Sequence, residues 1–143
     1  MKIAISYSIF GDDVFYWDFI PALIRMHLLV YKNIHLYLYC GNNNLKSISI
    51  GQSLLKLKEK NMPYINIIEC FEPVELCIGM LWRLKPIYKC DCDYVFGRDV
   101  DAISCGKDRI AIEHFIRSGR GLHCINDHAG GHHLRIMGGL WGV

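Results

Sequence analysis

The chain has 143 residues, 52% of them hydrophobic, and a formal net charge of +2. That is enough for one domain, residues 1–143, with a sizeable core, and too little for two ordinary ones. With no basic run or arginine-rich stripe to follow a phosphate backbone, the composition argues against nucleic acid as a partner. The opening Met-Lys-Ile-Ala-Ile-Ser-Tyr-Ser alternates like a strand and has no small-residue cleavage site, which argues against a signal peptide. No stretch approaches the length of a membrane span. Seven cysteines, an odd number in apolar contexts such as Tyr39-Cys40-Gly41 and Glu69-Cys70-Phe71, read as small buried hydrophobes rather than a disulfide frame. The expected location is therefore cytoplasmic.

In chain order, Lys2 to Ser8 reads as a buried strand and Phe10-Gly11-Asp12-Asp13 as the loop leaving it. Asp18 is a candidate N-cap for a helix with Pro21 in its first turn and Ala22, Leu23, Met26, Leu29 and Val30 along one side. Ile34 to Cys40 is a second strand, closed by the turn-like Gly41-Asn42-Asn43-Asn44. Ser53 to Lys60 is a short amphipathic helix, and Ile65 to Cys70 a third strand. A helix opening at Pro73 carries Leu76, Ile78, Met80, Leu81, Trp82 and Leu84, and Pro86 ends it. Tyr94 onward is a fourth strand. A helix from about Lys107 to Ser118 turns Ile110, Ala111, His114 and Phe115 inward and stops at Gly119, and Leu122 to Ile125 is a fifth strand. Strand and helix alternate throughout, as in an α/β three-layer αβα sandwich with a mainly parallel central sheet.

The fourth strand exits into polar residues. Tyr94-Val-Phe-Gly-Arg-Asp-Val-Asp101 is a short apolar run followed at once by Arg98, Asp99 and Asp101. In open α/β sheets ligands bind beyond the carboxyl ends of the strands. In extended geometry Asp99 and Asp101 leave the same face and can share one hard divalent cation, Mg²⁺ or Mn²⁺, whose remaining positions suit diphosphate and water. A lone Asp-x-Asp is also common in acidic surface turns. The fifth strand exits into Asn126-Asp127-His128, so two neighbouring strand ends would present Asp99, Asp101, Asp127 and His128 to one crevice.

Trp82-Arg83, Phe96-Gly97-Arg98-Asp99-Val100-Asp101, Asn126-Asp127-His128 with His132, and Gly138-Gly139-Leu140-Trp141-Gly142 together resemble the nucleotide-sugar-dependent glycosyltransferases of the Rossmann-like GT-A fold. The similarity is to small viral and bacterial members with Arg-Asp-x-Asp, Arg-Asp-His-Pro and Gly-Gly-Met-Trp-Gly blocks. It implies transfer of a sugar from a nucleoside diphosphate donor, uridine- or guanosine-type, to a hydroxyl of a glycan acceptor, with Mn²⁺ or Mg²⁺. Asp101 would be the direct metal ligand, and Asp99 would bind the ribose directly or the cation through water. Arg83 and Arg98 would assist the phosphates or hold the aspartates. Ser6 to Gly11 matches the nucleoside-binding loop, with Tyr7 or Phe10 beside the base. In an inverting enzyme Asp127 would act as catalytic base toward the acceptor hydroxyl. His128 and His132 would contact sugar or diphosphate, and one of them could complete the metal shell. Gly138 and Gly139 would let backbone approach the donor sugar.

The chain departs from the family pattern at Asn126 and Ala129, where arginine and proline are expected. Relatives usually continue past the Gly-Gly-x-Trp-Gly block into residues shaping the acceptor side, so the resemblance is to a truncated or a minimal member, and the short C-terminus could leave apolar surface for an oligomeric partner.

Two other readings use the same residues. One is a sugar-nucleotide-binding protein without transferase activity. The other is a structural zinc site built from Cys90, Cys92, His123, Cys124, His128, His132 and His133. Trp17 and Trp82 fit a core role better than sugar stacking, Trp141 fits either, and Arg83 could simply pair with a buried carboxylate.

Overall fold

The computed structural model describes residues 1–73, 78–125 and 139–143. These residues form a mixed α/β structure around a six-stranded sheet: β1 Ile3–Ile9, β2 His35–Gly41, β3 Ile65–Cys70, β4 Tyr94–Arg98, β5 His123–Cys124 and β6 Leu140–Gly142. The spatial order is β3-β2-β1-β4-β6-β5. The first four strands run parallel, and β6 lies antiparallel to both β4 and β5. Around the sheet are α1 Val14–Asp18, α2 Ile20–Val30, α3 Asn42–Ser47, α4 Ser49–Glu59, α5 Ile78–Leu81, a 3₁₀ turn Trp82–Leu84, α6 Pro86–Lys89 and α7 Gly106–Ser118.

The strands sort their side chains by the pleat. In β1, Ile5, Tyr7 and Ile9 enter one core layer with Leu36, Leu38, Phe96 and the inward faces of α1, α2, α4 and α7. Ala4 enters the other layer, with Tyr37, Tyr39, Val95, Trp82 and Trp141. Both layers bury their strand faces, which is why these parallel strands read as near-continuous apolar runs. Trp17 and Trp82 are core residues, as expected, and Trp141 is buried in the second layer. Among the described residues no helix is long and apolar enough to cross a membrane. The described cysteines are free thiols, Cys40 and Cys70 buried and Cys105 exposed.

Several local expectations are corrected. The first cap is Asp13, whose Oδ1 accepts from the Phe15 N–H at 3.0 Å, and Asp18 instead ends α1. The inward stripe of α2 is Ile20, Leu23 and His27, backed by Ile24, while Leu29 is 66% exposed. Apolar residues surround most of this helix, so periodicity alone does not fix its inner face. The asparagine run opens α3 rather than a turn. Its side chains bond to other elements instead of to their own backbone: Asn42 donates to Glu69 at 2.6 Å, and Asn44 donates to Asp12 at 2.7 Å while accepting from the Gly11 N–H. Next to this run, the residue with positive φ is Gly11, at +81°.

The amphipathic helix starts earlier than expected, at Ser49. Residues 74–77 of the helix expected from Pro73 lie outside the described residues, and its described part is α5 followed by the 3₁₀ turn. Pro86 begins α6 at its first turn rather than stopping a helix. Gly119 closes α7 at φ +65°, as expected, but the inner face of that helix is Ile112 and Phe115, with Ile110 64% exposed. The fifth strand is separated from β4 by β6, so the two expected neighbours are not adjacent.

Candidate functional site

The sheet reverses its winding between β1 and β4: β2 and β3 lie to one side, β6 and β5 to the other. Such a switch point leaves a crevice beyond the carboxyl ends of the two central strands. A cavity of about 380 Å³ lies there. It is lined by Ser8, Ile9 and Phe10 at the end of β1, by Asp99, Val100 and Asp101 after β4, and by Tyr16, Met80 and Arg83. This volume is within the range of small-ligand sites.

Both aspartates line the cavity, but not through the extended spacing expected. The strand stops at Arg98, and the Ala102 N–H donates to the Asp99 carbonyl at 3.0 Å, folding residues 99–102 into a tight turn. Asp99 and Asp101 therefore reach one space from the first and third positions of a turn. Val100 between them is buried in the first core layer.

Arg83 is 5% exposed and supplies the cationic wall. It forms an ion pair with Asp99 through Nη1, which also donates to the Arg98 carbonyl at 3.2 Å, and its Nε donates to the Met80 carbonyl at 3.0 Å. A charged hydrogen bond of this kind fixes the carboxylate's orientation. On the same side, Gly139 packs so closely that a Cβ there would overlap the Asp99 carboxylate.

Arg98 points the other way. It is 2% exposed, and its guanidinium donates to Asp108 on α7 (Nη2 to Oδ1 2.8 Å, Nε to Oδ2 3.3 Å) and through Nη1 to the carbonyls of Gly97 and Trp141. Val95 and Gly97 face the second layer, so Phe96 and Arg98 face the first; the pleat puts Arg98 and Asp99 on opposite sides.

Of the expected nucleoside neighbours, Phe10 reaches the cavity wall. Ser6 is fully buried and its hydroxyl finds no partner among the described residues. Tyr7 lies in the first layer, where its hydroxyl pairs with Ser104 Oγ at 2.9 Å and burial pushes its pKa up to about 12. Asp127, His128, His132 and Gly138 lie outside the described residues.

Ser8 and Ile9, inside the expected Ser6 to Gly11 loop, line the cavity beside Phe10. Outside that loop, sequence reasoning missed Tyr16 and Met80. Tyr16 sits on α1, hidden by the misplaced cap. Met80 reads as one more apolar core residue.

The oxygen donors present are of the hard type that Mg²⁺ and Mn²⁺ accept, and two carboxylates beside a basic wall fit a cation that takes its other ligands from phosphate and water. No group of three or more His, Cys, Asp or Glu side chains among the described residues is arranged to hold a metal. For the expected zinc site, the described members are dispersed: His123 packs against Phe96 and Phe115, and Cys90 lines a separate cavity with Tyr37, Tyr39 and Lys85. Burial lowers the pKa of His123, favouring its neutral form. No family model, curated protein or solved structure matches the chain.

Proposed function

We propose that the chain is a Rossmann-like GT-A glycosyltransferase domain that binds a nucleoside diphosphate sugar and moves its sugar to a hydroxyl of a glycan acceptor. The observation that carries this reading is the common cavity of Asp99, Asp101 and Arg83 at the switch point of a parallel sheet. Fold alone hosts many functions, so the weight rests on these side chains.

Asp101, exposed at the turn, and Asp99, braced by Arg83, would hold Mn²⁺ or Mg²⁺. When bound, the cation would neutralise charge developing on the departing diphosphate. Arg83 has two tasks: it keeps Asp99 oriented and adds positive potential where phosphate would lie. Ile9, Phe10, Tyr16 and Met80 give the other wall an apolar character suited to the planar part of a nucleotide. In an inverting enzyme the family resemblance gives the proton of the acceptor hydroxyl to Asp127.

The test is calorimetric titration of UDP and GDP with and without Mn²⁺. Binding should require Mn²⁺ and weaken at least about tenfold in Asp101→Ala, by the loss of one metal ligand, with the melting temperature unchanged. Equal binding with and without Mn²⁺, and in the variant, refutes the site. Release of nucleoside diphosphate from a donor sugar in the presence of acceptor then separates a transferase from a protein that only binds.

A further inference from the structure

Tyr7 is 0% exposed and lies among Ile5, Ile9, Phe96 and Ile112 in the first core layer. A phenylalanine would supply the same apolar area, and a buried hydroxyl costs free energy unless it is paired. Its partner is Ser104 Oγ, 97 positions away in sequence and itself 3% exposed. Ser104 belongs to the segment joining Asp99 to α7. Val100 is buried at one end of that segment and Ser104 at the other, while Asp101 and Ile103 between them are exposed. The same layer holds further polar groups connected to this pair, since the Tyr31 hydroxyl also lies within reach of Ser104. Tyr31 donates to Asp108 at 2.6 Å, and Asp108 accepts from Arg98, so the start of α7 is fastened just beyond Ser104.

We propose that the Tyr7–Ser104 hydrogen bond is a positioning contact for the cavity: it clamps the far end of the 99–104 turn and so holds the Asp101 carboxylate where a cation can meet it. The inference rests on the cation reading of Asp99 and Asp101. Neither Tyr7 nor Ser104 lines the cavity. Their effect passes through backbone, from the anchored hydroxyl to Val100 and Asp101.

The variants separate positioning from simple stability. Ser104→Ala leaves the Tyr7 hydroxyl buried and unpaired, which lowers stability. Tyr7→Phe/Ser104→Ala removes both partners and should recover most of the lost melting temperature. Ser104→Thr keeps a hydroxyl. The probe is Mn²⁺ alone, followed by the EPR signal of the free ion, together with amide exchange at residues 101–103. Contacts that orient a metal ligand commonly alter affinity about tenfold or more. The expected result is therefore about tenfold weaker Mn²⁺ binding and faster exchange at 101–103 in both the single and the double variant, with Ser104→Thr close to wild type.

A double variant with wild-type Mn²⁺ affinity, alongside an Asp101→Ala variant that has lost it, overturns the positioning role and leaves the cation site standing. If Asp101→Ala binds Mn²⁺ as the wild type does, the cation reading fails and the positioning role fails with it.

Discussion

The sharpest test of how the structure divides its two central arginines is Asp108→Asn. Arg98 is 2% exposed, and two of its five N–H donors engage the Asp108 carboxylate, at 2.8 and 3.3 Å. Asparagine keeps the shape but removes the charge and turns an amide N–H₂ toward a group that can only donate. Removing one partner of a buried pair costs about 3–5 kcal/mol, because the remaining charge stays buried without compensation. With a urea slope of about 2 kcal/mol/M, the unfolding midpoint should fall by roughly 2 M. The assay is urea denaturation followed by circular dichroism. A loss under about 1 kcal/mol would refute the reasoning, since such a small cost requires Arg98 to find its counter-charge elsewhere. Replacing both members by apolar residues, Arg98→Met/Asp108→Leu, should recover much of the stability. Recovery should be incomplete because the Gly97 and Trp141 carbonyls lose their donor. If the double variant retains Mn²⁺-dependent nucleotide binding, Arg98 is a structural residue and not a diphosphate contact.

Gly139→Ala should displace the Asp99 carboxylate, because the added Cβ overlaps it. Overpacking of this kind costs about 1–3 kcal/mol, and nucleotide affinity should drop together with the melting temperature; full binding in the variant would contradict the contact. Acidification provides another check. His27 is fully buried, and burial lowers its pKa below the ordinary 6.5. The unfolded chain thus takes up a proton at higher pH than the folded one, so the stability contribution is complete above pH 6.5 and is lost as pH falls through the lower folded value. Denaturant titrations at pH 7.5 and 5 should show this loss, and His27→Gln should flatten it. His35 and His123 are shifted in the same direction by burial and add to the wild-type slope.

The sequence carries the sheet well and the helices less well, for a physical reason. β1 to β4 are covered on both faces, so burial writes itself into each as an apolar run with turn residues at its ends. A helix exposes its inner stripe only if its outer face is polar. In α2, Leu28 at 40% and Leu29 at 66% exposure blur that contrast, and His27 is buried because Nε2 meets the Ile34 carbonyl at 2.8 Å, a contact with no local signature. The asparagines of α3 mislead in the same way. Their turn preference comes from side chains bonding to nearby backbone, and here those side chains are occupied by Asp12, Gly11 and Glu69, brought close only by the fold.

The cavity was legible in part, and the division between Arg98 and Asp99 shows where the reading stopped short. Alternation about one fixed point is enough to separate them: Phe96 belongs to the first layer, so Arg98, two residues on, follows it, while Val95, Gly97 and then Asp99 take the other side. The sequence contains that parity. It does not say which layer holds a carboxylate for the arginine. Asp108 reaches Arg98 only because α7 returns over the first layer, and Arg83 reaches Asp99 only because the 3₁₀ turn sits against the second. Two adjacent residues of opposite charge thus take partners of opposite charge on opposite faces of one strand. The proposed site depends on that sorting: a positive charge turned inward at position 98 closes the core, and the carboxylate beside it opens onto the crevice.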